Sequence, residues 1–249
     1  MHDEVVTPDD PALSFGAAAE AYDRARPPYP DEIVDWLLDG VAGPVLDVGA
    51  GTGKLTAALA ARRDGVVAVE PDTGMRSLLA RIPGIGVRAG SAEDVPLADG
   101  VASLATMAQA WHWVDVRRAS AELARVLGRP GRLGLVWNYR SLADEWVVRL
   151  SAALGGADSA GQMEKIRAHG PAIEAPFTAY DRRVVAWEHA IDVDTLVALA
   201  ASRSYVIVRP PDERERVLSA VRELGEERAG ADGSVRLPYE TYAFRYDLA

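Results

Sequence analysis

Cysteine is absent from all 249 residues of this chain. Its absence excludes disulfides, thiolate metal sites and a cysteine nucleophile together. Basic charge is in deficit, with 27 lysines and arginines against 37 aspartates and glutamates, a formal net charge of −10. A nucleic-acid binder needs a basic footprint to displace phosphate counterions. The field of this chain opposes a polyanion, so no nucleic-acid partner is expected. No apolar run approaches the ~20 residues needed to cross a bilayer, so no membrane partner is expected. There are four histidines, and no closely spaced histidine–carboxylate cluster stands out as a ligand set, so no metal is expected. Internal repeats and low-complexity linkers are also missing. The opening MHDEVVTPDDPAL is acidic and lacks the charged-then-apolar pattern of a secretory leader. The expected location is the cytoplasm.

Apolar residues make up 49% of the chain and charged residues 26%, enough for a core of ordinary size. The length suits a single domain over 1–249. In the first half, short apolar segments alternate with helical patterns. Strands are expected at Pro44–Val48, Val66–Val69, Ile85–Arg88, Val101–Met107 and Arg132–Trp137. Helices are expected at Lys54–Arg63, Thr73–Arg81 and Val116–Leu127. Such alternation predicts an α/β fold, a parallel sheet with helices on both faces. The second half predicts helices over Glu145–Leu154, Gln162–Ala168, Asp194–Ala201 and Asp212–Leu224, with Asp212 as a cap. Strands are expected at Arg182–Ile191 and Val235–Tyr246, with Pro238 marking an edge or a bulge.

The most informative stretch is Val45-Leu46-Asp47-Val48-Gly49-Ala50-Gly51-Thr52-Gly53, where a strand gives way to a helix. Glycines there let the backbone turn tightly and approach a ligand. A phosphate-binding P-loop would need glycine where Val48 stands and Ser or Thr where Leu55 follows Lys54. A dinucleotide fingerprint needs Gly-x-Gly-x-x-Gly, and this chain has Gly-x-Gly-x-Gly. Asp47 would repel a pyrophosphate and attract an ammonium. The plainer alternative is a glycine turn with no ligand. Glu70 closes the second strand 21 residues after Gly49, and a carboxylate there suits a pair of ribose hydroxyls.

These stretches resemble, in order, the motifs of class I S-adenosylmethionine (SAM)-dependent methyltransferases. Asp47–Gly53 is similar to the glycine loop under the methionine part of SAM. Val66–Asp72 is similar to the strand whose terminal acid binds the ribose. Gly90–Leu97 resembles the adenine-binding turn, with Ser91 where the family commonly has Asp. Ser103 is a second departure, also from Asp. Ala108–Trp113 follows strand four, and Arg125–Leu133 resembles the turn into strand five. Phe15–Pro30 resembles the N-terminal lid of a subgroup that includes trans-aconitate methyltransferases. Ser202–Tyr205 and Leu237–Tyr242 match later stretches of that subgroup.

The resemblance implies a Rossmann-like, mostly parallel seven-stranded sheet with an antiparallel last strand. It divides the domain into lid helices over 1–40, a SAM-binding core over 41–140, an inserted substrate cover over 141–230 and a last strand over 231–249. The implied cofactor is SAM. Its expected contacts are Tyr22, Arg26, Asp47, Gly49, Ala50, Gly51 and Gly53 on the methionine side. Glu70, Pro71, Met75, Ser91, Ala92, Glu93 and Gln109 complete the set. The expected substrate wall is Trp111, His112, Trp113, Trp137 and Tyr205, with His112 as general base or positioning group. The implied activity is methylation of a small molecule, at a carboxylate or hydroxyl oxygen, by a monomer or homodimer in secondary metabolism. The alternative is a protein of the same fold that binds SAM without methylating. Glu70 is expected to face solvent, so that its replacement changes apo stability by less than ~1 kcal/mol.

Overall fold

All four residues of strand β1 (Val45–Val48) are buried, as a strand covered on both faces requires. The computed structural model that shows this describes residues 26–155 and 158–248. Strands β2 (Val66–Val69), β3 (Gly86–Arg88), β4 (Ala102–Ala108) and β5 (Leu127–Arg140) lie parallel to β1. Strands β6 (Phe177–Asp192) and β7 (Ser234–Leu248) complete one sheet in the order β3-β2-β1-β4-β5-β7-β6. β7 is antiparallel to both of its neighbours. The expected architecture and strand assignments hold.

Helices α1 (Asp31–Leu38), α2 (Lys54–Ala60), α3 (Thr73–Leu79) and α4 (Val116–Val126) connect the parallel half. α1 turns Ile33, Val34, Trp36 and Leu37 inward. They meet Leu55 and Leu59 of α2 and Val45, Val66 and Leu104 of the sheet. A separate cluster joins Leu123 and Val126 of α4 to Leu46, Val48 and Leu133. One apolar stripe per helix thus covers each face of the sheet.

Helices α5 (Glu145–Leu154), α6 (Asp158–His169), α7 (Val193–Ala201), α8 (Ser204–Ile207) and α9 (Pro211–Arg228) follow. Trp146 and Leu150 of α5, Leu196 and Leu199 of α7 and Val221 of α9 pack on Val235, Leu237 and Tyr239 of β7. Residues 141–230 therefore build a second core on the extended ends of β5, β6 and β7, and supply β6 to the sheet edge. One local expectation fails and one holds only locally. Asp212 is not the cap of α9, which starts at Pro211 with Pro210 before it; proline suits the first helical position because its missing N–H would be unpaired there. Pro238 lies in a central strand, β7 between β5 and β6, but at a local edge, beyond the last β5 pair. Its carbonyl accepts from Ser141 N just past the last β5 pair, Arg140 with Tyr239. In an antiparallel ladder a residue's N and O face the same neighbour, so the donor that proline lacks is missing only where β5 has run out.

Candidate functional site

Ligands of an open parallel sheet lie beyond the carboxyl ends of its strands, and the cavity of this protein lies there. It holds about 410 Å³, within the range of small-molecule sites. Gly49 and Gly51 line it with φ of +62° and +59°, in the left-handed region that side chains avoid. A Cβ on Gly49 would come within 2.9 Å of the Ala110 Cβ. Gly51 N donates to Glu70 Oε2 at 2.8 Å, and Asp72 N donates to Glu70 Oε1 at 2.9 Å. Glu70 thus ties the loop after β1 to the loop after β2. Each oxygen has a second lone pair for a ligand hydroxyl. Glu70 is 5% exposed, and desolvation is the largest cause that raises its pKa. The expectation of a solvent-facing carboxylate is corrected: its backbone bonds make it part of the loop's own structure.

Asp47 is buried and does not line the cavity. Thr56 Oγ1 donates to its Oδ2 at 2.5 Å, and Thr106 Oγ1 lies 2.9 Å from its Oδ1. It pins the glycine loop to α2 and β4 from behind. Burial raises its pKa from 3.8 to about 6, against the two threonine bonds. The folded protein therefore holds this proton more tightly than the unfolded chain. Its contribution to stability falls as pH rises from about 4 to about 6 and is level above that. The shift corresponds to at most ~3 kcal/mol. Urea unfolding of the wild type and Asp47→Asn should show the wild type losing up to that much relative to the variant between those pH values. Parallel curves would contradict the assignment.

The remaining residues divide clearly. Ala50, Pro71, Met75, Ser91, Ala92, Glu93 and Gln109 line the same cavity as Gly49, Gly51 and Glu70, and so does Arg26. Met75 is fixed by its N–H bond to Asp72 Oδ1. Ser91 Oγ accepts from Glu93 N at 3.3 Å, so its hydroxyl hydrogen is not used by that bond. Gln109 has φ 58°, the one non-glycine residue with positive φ among the described residues. Its Nε2 donates to Asn138 O at 3.0 Å. Gly53 stands off the wall, where a Cβ would run into Ile82 and Leu79. Tyr22 lies outside the described residues.

Of the expected substrate wall, Trp113 lines the cavity. Trp111 is buried in the core, its Nε1 donating to Ala172 O. His112 is exposed and lies off the wall, its ring tilted at 42° to that of Trp113 with centroids 4.8 Å apart; partial desolvation lowers its pKa. Trp137 is core, edge-on to Phe244. Tyr205 is off the wall, close to the Arg140 side chain.

Lys54, Asn138, Arg203 and Tyr239 also line the cavity and were not singled out from the sequence. Their signals were present. Asn138 lies at the carboxyl end of β5, Arg203 lies inside the Ser202–Tyr205 stretch, and Tyr239 lies inside Leu237–Tyr242. The wall is polarised along the sheet. Its acids, Glu70 and Glu93, follow β2 and β3. Arg203 and Tyr239 stand at the β7 side, four strand spacings or about 19 Å from β2.

A family description, Methyltransferase domain, matches residues 46–135. The chain is 43% identical over 243 residues to an uncharacterized methyltransferase of Mycobacterium tuberculosis, covering 96% of this chain and 98% of the relative. It is 37% identical over 134 residues to a malonyl-[acyl-carrier protein] O-methyltransferase of Methylococcus capsulatus, covering 49% of this chain and 48% of that protein. A candidate type II methyltransferase from Anaeromyxobacter dehalogenans shares the fold, with a TM-score of 0.60 at 22% identity, covering 89% of this chain and 96% of the other. The full-length relative together with the sheet order and the glycine loop leads to one conclusion: the chain belongs to the class I SAM-dependent methyltransferases.

Proposed function

We propose that this enzyme methylates an oxygen of a small acidic acceptor, a carboxylate before a hydroxyl. The observation that carries the reading is the cationic far end of the cavity. Arg26 and Arg203 both line it, and Arg26 Nη2 donates to the backbone oxygen of Ser202, the residue before Arg203, at 3.2 Å. The residues at the opposite end fit the cofactor. Glu70 would accept the ribose hydroxyls, the side-chain-free Gly49 and Gly51 would let the loop backbone approach the ligand, and Met75 and Ser91 would bound the adenine. Bound SAM supplies a methyl on a positively charged sulfur, which departs as a neutral thioether. The task of this chain is to align the acceptor oxygen and exclude water, and proximity alone can lower the barrier by ~7–11 kcal/mol. A carboxylate needs no proton acceptor. That agrees with a wall on which, among the described residues, no imidazole stands. The Methylococcus relative is by name an O-methyltransferase acting on malonyl groups, which carry a free carboxylate. The resemblance of Phe15–Pro30 to trans-aconitate methyltransferases points the same way.

Methyl-labelled SAM incubated with a panel of small acids, phenols and amines tests the reading. Label should appear in an alkali-labile ester of an acid. Alkali-stable label on amines or phenols alone would contradict it. His112→Ala should change kcat/KM for such an acid by less than about threefold, as expected of an exposed residue off the wall. A loss on the ~10²–10⁴-fold scale of general acid–base catalysis would instead make the imidazole the base.

A further inference from the structure

The cationic end of the cavity is backed by a further arginine, Arg140, that does not itself line the wall. Arg140 is the last residue of β5 and pairs directly with Tyr239 of β7, so their side chains share a face. Arg203 lies against them from the turn between α7 and α8. Arg203, Tyr239 and Tyr205 are neighbours of the Arg140 guanidinium. Desolvation and the neighbouring Arg203 both push the Arg140 guanidinium toward its neutral form. The next residue along β7, Glu240, faces the other side of the sheet and pairs with Arg167 at 2.5 Å.

Two buried polar atoms of this group have no partner: the Tyr239 hydroxyl and Arg203 Nε. Tyr239 is 1% exposed, and its ring is stacked on Trp187 at 5.4 Å. Trp187 is itself fixed by its Nε1 bond to Thr241 Oγ1 at 2.8 Å. The hydroxyl is therefore held in place on the wall rather than free to swing to water. Buried donors without acceptors and adjacent like charges are costly, and an anion supplied by a ligand relieves both.

We propose that Arg203 and Tyr239 on the cavity wall, with Arg140 behind Tyr239, form an anion subsite that holds a second, unreacting anionic group of the acceptor. The acceptor class is then a small molecule with two acidic groups. One is presented for methylation and the other is anchored at β7. The subsite rests on the acidic-acceptor reading and makes these residues determinants of specificity. It positions the acceptor from the end remote from the methyl and takes no part in bond making.

Calorimetric titration of the enzyme saturated with S-adenosylhomocysteine separates the possibilities. The probes are α,ω-dicarboxylates from malonate to adipate, each against the monocarboxylate of the same length. In the wild type at least one diacid should bind about tenfold or more tightly than its monoacid, the scale of a charged hydrogen bond. Arg203→Gln should reduce that ratio to about one. Tyr239→Phe, which keeps the ring on Trp187, should reduce it by about threefold or more. In both variants the affinity for S-adenosylhomocysteine should stay within about twofold of the wild type. Equal binding of diacids and monoacids by the wild type overturns the subsite, as does an unchanged ratio in Arg203→Gln. A parallel fall in S-adenosylhomocysteine affinity also overturns it, because Arg203 then holds the cofactor carboxylate. The readout is independent of methyl transfer. A diacid preference without ester formation leaves the subsite standing and removes the acceptor reading. Ester formation without the preference does the reverse.

Discussion

Glu70→Ala should raise the SAM dissociation constant by ~10- to 100-fold. The estimate takes a charged hydrogen-bonding group at ~1.5–3 kcal/mol. The structure adds a cost in the free protein, because the carboxylate also accepts from Gly51 N and Asp72 N. Leaving those donors unpaired at a buried site costs ~1–3 kcal/mol. Both effects should therefore appear in one variant: weaker SAM binding by calorimetry and a lower midpoint of urea unfolding. Glu70→Gln keeps one carbonyl oxygen and should be intermediate in both. Because burial raises the Glu70 pKa, SAM affinity should also weaken on acidification before it would for an exposed glutamate. A variant with normal SAM affinity and damaged stability would reduce Glu70 to a structural clamp.

Gly49→Val should abolish the cofactor response altogether. The residue has φ +62°, where a β-branched side chain is a true outlier. The left-handed conformation costs ~1–2 kcal/mol for a residue with a Cβ. The Cβ would also meet Ala110 Cβ at 2.9 Å, and forcing bulk into such a contact costs ~1–3 kcal/mol. The loop must shift, and it carries the cavity wall with it. In the wild type, S-adenosylhomocysteine at a hundred times its dissociation constant should stabilise the fold by ~2.7 kcal/mol. In the variant the melting temperature should be lower and should not respond to the ligand. A normal ligand-induced rise would show that the loop has more room than its geometry indicates.

The strands of the parallel half were legible because covered strands are predominantly apolar, as in Val66–Val69 and, Asp47 apart, in Val45–Val48. The end of β5 was not, because Asn138 and Arg140 interrupt the apolar run that ended the expected strand at Trp137. Those polar residues mark the cavity side of the strand end, where burial and function conflict. The aromatic trio after β4 shows another limit. Sequence places Trp111, His112 and Trp113 together, but a 3-10 turn distributes them around its axis. Trp111 enters the core, Trp113 edges the cavity and His112 points to solvent. Asp47 and Glu70 could be assigned to the site from spacing. That one holds the loop from behind and the other bridges it at the wall depends on hydroxyls and amides that only the fold brings together. Arg203 and Tyr239 lay within recognised stretches, yet their unpartnered atoms appear only once β7 pairs with β5.

The central claim is that SAM is held between the Gly49–Gly51 loop and Glu70. Its most direct test is calorimetric titration of S-adenosylhomocysteine into the wild type and Glu70→Ala side by side. The account predicts one site per chain in the wild type and ~10- to 100-fold weaker binding in the variant. No binding heat at millimolar ligand in the wild type, or equal affinity in the two proteins, would contradict it.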